Sequence, residues 1–70
     1  MTRALAIDAL RYVTRTYADE PAQRRKMEKH HGEKAWNIAA IEAHVIWTDH
    51  GGRECMAVLQ SMVERAISGK

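Results

Sequence analysis

Residues 35–47, AWNIAAIEAHVIW, decide the fold. Their spacing predicts a helix that is apolar nearly all the way round. At 3.6 residues per turn, Trp36, Ala40, Ala43 and Trp47 share one side, and Ile38, Ile41 and Val45 lie opposite. Ala39 and Ile46 fill one flank, while Asn37, His44 and Thr48 form the one narrow polar seam. Such a helix has to be covered from more than one direction. In a chain of 70 residues the supply of covering surface is short.

The neighbouring segments show what supply there is. Beyond Asp49, His50-Gly51-Gly52 is the clearest turn in the chain. A fourth helix follows over about 53–67, with Cys55, Met56, Leu59, Met62, Val63 and Ala66 on its apolar face. The short glycine link makes the third helix (about 33–49) and the fourth antiparallel neighbours. Upstream, Gly32 separates the third helix from a second over about 21–31, because glycine suits the backbone of a helix end. Pro21 favours the first turn of that helix, and Asp19 and Glu20 place negative charge at the positive end of its dipole. Its only sizeable apolar residue is Met27, so it belongs on the surface. The first helix, about 3–17, is amphipathic. Leu5, Ala6, Ala9, Leu10, Val13 and Tyr17 lie on one face, with Asp8, Arg11 and Arg15 on the other and Tyr12 at the rim. No strand pattern, repeat or low-complexity segment is present.

The expectation is a single all-α domain over residues 1–70, a small bundle of three to four helices. Two apolar faces, on the first and fourth helices, must cover two sides of the third. Self-association would relieve the shortage, so the bundle is expected to be completed by a homodimer. The expected interface is the Trp36, Ala40, Ala43 and Trp47 side, where small residues between two indoles would let another helix approach.

Composition narrows the class. Cys55 is the only cysteine, which rules out an internal disulfide and favours a reducing, cytoplasmic setting. The N-terminal stretch MTRALAIDAL lacks the features of a signal peptide, and no apolar run approaches the roughly 20 residues of a membrane span. No membrane partner is expected. The formal net charge is only +2, but Arg24, Arg25, Lys26, Lys29 and Lys34 crowd one stretch against Glu28 and Glu33.

Four histidines and Cys55 are the conceivable metal ligands. Zinc requires three or four such groups converging at about 2 Å. Adjacent residues on a helix, such as His30 and His31, diverge by about 100°. Cys55 falls in an apolar face, where a thiol acts as a small, inert hydrophobe. No metal or cofactor is therefore expected, with the histidines solvated. Apolar surroundings argue against activation of a Cys55–His50 dyad, and a Glu42–Asp49 carboxylate pair on an open surface lacks a pocket, so catalysis is not expected either.

The basic helix is the best sign of a charged partner. The expected partner-binding residues are Arg25, Lys29, Arg24, Tyr12, Arg11 and Arg15, because Arg and Tyr combine apolar area with directed hydrogen bonds. The functional expectation is a non-enzymatic interaction protein that modulates another protein as an adaptor or inhibitor. A nucleic-acid-associated regulator is the alternative. It is disfavoured because the helix after the basic one is rich in Trp and Ile rather than in residues able to read base edges. In its short charged style, lone Cys and lack of catalytic motif the chain resembles the small accessory proteins of bacteria and their phages. No motif carries that likeness, so it assigns no residue a role.

Overall fold

A computed structural model describes residues 2–69, which form four helices: α1 (Thr2–Thr14), α2 (Glu20–His31), α3 (Glu33–His50) and α4 (Met56–Ser68). There is no strand among the described residues. The all-helical expectation and its four elements agree with the structure, and the boundaries differ by more than one residue at two places.

The first helix stops at Thr14 rather than at Tyr17. The Thr14 hydroxyl donates to the carbonyls of Leu10 (2.9 Å) and Arg11 (3.2 Å), closing the last turn with a side chain. Tyr17 then packs its ring on Tyr12, centroids 5.7 Å apart. Residues five apart on a helix point about 140° away from each other, so this contact requires the chain to have left the helix.

The fourth helix begins at Met56 rather than at Arg53. The amides of Arg53 and Glu54 both donate to the His50 carbonyl (2.9 and 3.1 Å), and the Arg53 guanidinium donates to the Asp49 carbonyl. These residues close the end of α3 and do not start α4. Cys55 is the extended N-cap residue of α4, and it is exposed. The expectation of a buried thiol is corrected here: the position expected to open the apolar face lies outside the helix.

The core lies among α1, α3 and α4. Leu5, Ala6, Ala9 and Leu10 of α1 meet Trp36, Ala39 and Ala43 of α3 and Leu59 and Val63 of α4. Each of these three helices packs on the other two, and α2 packs on α3. Alanines on α1 and α3 bring the backbones close, and Trp36, 1% exposed, fills the space they leave. Burying a side chain of Leu size is worth about 1.5–3 kcal/mol, so Leu59 and Val63 fix α4 in place. The radius of gyration, 11.2 Å, matches the roughly 11 Å of a compact chain this long.

This arrangement corrects the expected interface. Trp36 and Ala43 are buried within the chain, and Ala40 and Trp47 pack against the same core. The indole side of α3 is thus covered by the chain's other helices. The uncovered side is the opposite one, where Ile41 is 62% and Val45 49% exposed. Two glycines allow the junctions. Gly32 adopts φ +92° and ψ 138° between α2 and α3, a conformation essentially closed to other residues. Gly51 lies under the Trp47 indole, where an added Cβ would sit 2.7 Å from Cε3.

Candidate functional site

Helix α2 is built to stand on the outside. The Asp19 carboxylate accepts from the Ala22 amide at 3.1 Å, Pro21 occupies the first turn, and Glu20 adds charge at the positive end. Lys29, His30 and His31 occupy the last turn, where cations suit the dipole. None of its residues is fully buried. Met27 packs against the core from the side.

The attachment of α2 to the bundle is polar and aromatic. His31 Nε2 lies 2.7 Å from Asp8 Oδ2 on α1, with side-chain exposures of 4% for His31 and 29% for Asp8. The His31 ring stacks on the Trp36 indole (centroids 6.0 Å, planes 11° apart), and Tyr12 tilts against the same indole at 5.3 Å. Tyr12, Tyr17, Trp36 and His31 thus form a chain of ring contacts that links α1, α2 and α3. The expectation of solvated histidines is corrected for His31, and Asp8 turns toward this histidine rather than toward Arg11. Helical spacing could not reveal the pair, because its partners are 23 residues apart and on different helices.

Beside this pair runs an open groove of about 560 Å³ lined by Asp8, Lys26, Met27, Lys29 and His30. His30 is exposed, and its ring meets that of His31 edge-on at 4.5 Å.

Comparison with family models, with curated proteins and with solved structures found no match. Function has to be read from the residues themselves.

The expected partner-binding residues separate into two groups. Arg11, Arg15, Arg24, Arg25 and Lys29 are exposed. Arg25 and Lys29 are four apart and share the stripe of α2 that faces away from Met27. Tyr12 does not belong with them. It is half buried, and its ring is held between Tyr17 and Trp36. Among the described residues, no helix is long and apolar enough to cross a membrane.

Proposed function

We propose that this chain is a non-enzymatic interaction module that binds an acidic surface of another protein through α2 and so modulates that protein. One observation carries the reading. Arg24, Arg25, Lys26 and Lys29 are all exposed, and none of their side chains makes an ion pair or hydrogen bond with another described residue. A helix that buries no residue contributes little to the core, so its charged stripe serves the fold least and is free to serve a partner. Unpaired surface cations speed encounter with an acidic surface more than they tighten the final complex.

Self-association is proposed through the outer ridge of α3, formed by Ile38, Ile41 and Val45. Ile41 and Val45 are among the large hydrophobic residues most exposed in the chain, they are one helical turn apart, and half-buried Ile38 continues their line. A two-fold pairing of this ridge would present the basic helix twice.

The test is a pair of double variants. Arg25→Glu with Lys29→Glu should leave helicity intact, yet lose partner capture that survives nuclease treatment in the parent. Ile41→Glu with Val45→Glu should convert a dimer to a monomer in sedimentation at micromolar concentration, with the helical circular dichroism retained at low temperature. Capture that disappears on nuclease treatment would instead favour the nucleic-acid reading, in which the same cations meet phosphates.

A further inference from the structure

We propose that Asp8, His30 and His31 form a binding site for one divalent transition-metal ion of the zinc class, joining α1 to α2. Each of the three offers a ligand atom, and these atoms all lie within 4.8 Å of one another. The divergence of neighbouring helical residues spoke against His30 and His31 sharing an ion. Their positions in the fold remove that objection. His31 ends α2 beside Gly32, and its ring meets His30 edge-on at 4.5 Å. Asp8, from another helix, supplies the third group.

The donor set selects the ion. Two imidazoles and one carboxylate suit zinc, cobalt or nickel, whereas magnesium and calcium prefer oxygen ligands throughout. Tetrahedral coordination at about 2.0–2.1 Å places ligand atoms about 3.4 Å apart. Asp8 and His31 start at 2.7 Å and need only spread by a fraction of an ångström. His30 starts farther away, but it is exposed and can swing inward at little cost in packing. His31 is the anchored ligand, 4% exposed and stacked on Trp36.

The ion takes the place of the proton shared between His31 Nε2 and Asp8. That proton leaves to solvent, or moves to Nδ1 when the ring is neutral. Three protein ligands leave a coordination position for water, as in open zinc sites. Lys26 and Lys29 line the same groove, and their charges oppose the ion. This makes the site weaker than one in neutral surroundings.

The experiment titrates the purified chain with Co²⁺ followed by visible absorption, and then displaces the cobalt with Zn²⁺. One ion per chain with a tetrahedral spectrum is expected. His30→Ala should weaken binding at least about tenfold, a loss that even outer-sphere partners of a metal site produce. Because His30 is exposed, this variant should keep the parent's circular dichroism. Excess Zn²⁺ should raise the melting temperature of the parent and not that of His30→Ala. Cys55→Ser should bind as the parent does. No ion bound by the parent, equal binding by His30→Ala, or loss of binding in Cys55→Ser would each overturn the assignment.

Discussion

The three-helix core and the second helix are held by different forces. Helices α1, α3 and α4 meet through nine buried apolar residues, with Trp36 at the centre. Helix α2 buries none of its residues and is held by Met27, the Asp8–His31 pair and the stacking of His31 on Trp36. Apolar burial is non-directional and sums over many contacts. A single hydrogen-bonded pair is directional and is lost whole. The core should therefore melt as a unit, while α2 can be released alone.

The largest effect tests the core. Trp36→Ala should destabilise the chain by about 3–5 kcal/mol, the usual result of truncating a fully buried tryptophan. In a domain this small, that approaches the total. Circular dichroism at 25 °C should show loss of helix throughout, and a variant that keeps native helicity and melts within a few degrees of the parent would break the comparison. It would mean that the core does not depend on its central side chain.

The next effect tests the attachment. Asp8→Ala leaves the buried nitrogen of His31 without its partner, which costs about 1–3 kcal/mol. The damage should be local. Amide hydrogen exchange over Gln23–His31 should accelerate while that of Leu10, Ala43 and Val63 changes little, as expected for a cooperative unit of low stability. Uniform acceleration along the chain would show that α2 and the core are a single unit.

A smaller change at the other end of α2 sharpens the same point. Asp19→Ala removes the side-chain acceptor of the Ala22 amide and should cost about 0.5–1 kcal/mol. Its effect should be confined to the first turns of α2. Asp19→Asn should restore most of the loss, because an amide oxygen can accept the same hydrogen bond.

The two regions were not equally legible in the sequence. Amphipathic spacing identified Leu5, Ala6, Ala9 and Leu10 as one buried face and α2 as a surface helix, because a periodic pattern states directly which residues share a side. It assigned self-association to a side of α3 that the bundle itself covers, since both sides are apolar and periodicity cannot say which one neighbours reach first. In the structure Trp36 is buried, with Tyr12 of α1 and His31 of α2 against its indole. The pairing of Asp8 with His31 was invisible. Each residue suits a solvated face when read alone, and the contact exists only once α2 folds back beside α1. The basic stripe was legible because it depends on the order of residues along one helix. The ring contacts of Tyr12 with Tyr17 and Trp36 were not legible, because those partners lie beyond the end of its helix or on another one.

An equally small effect reverses sign and concerns the start of α4. Cys55 is its N-cap residue, with an extended backbone (φ −74°, ψ 163°), and its side chain makes no capping hydrogen bond. A thiol is a weak acceptor, so the first amides of α4 receive nothing from it. Serine is among the preferred residues at this position because its hydroxyl can accept from an amide in the first turn. The position is also exposed, so the exchange exposes no cavity. Cys55→Ser should therefore stabilise the chain by about 0.5–1 kcal/mol, raising the melting temperature by a few degrees in a domain of this size. The parent's thiol should also react readily with a thiol reagent in the folded state. If Cys55→Ser lowers the melting temperature and the native thiol is slow to react, the residue is packed into the core. Helix α4 would then begin a turn earlier than Met56, on the apolar face that spacing alone assigns to it.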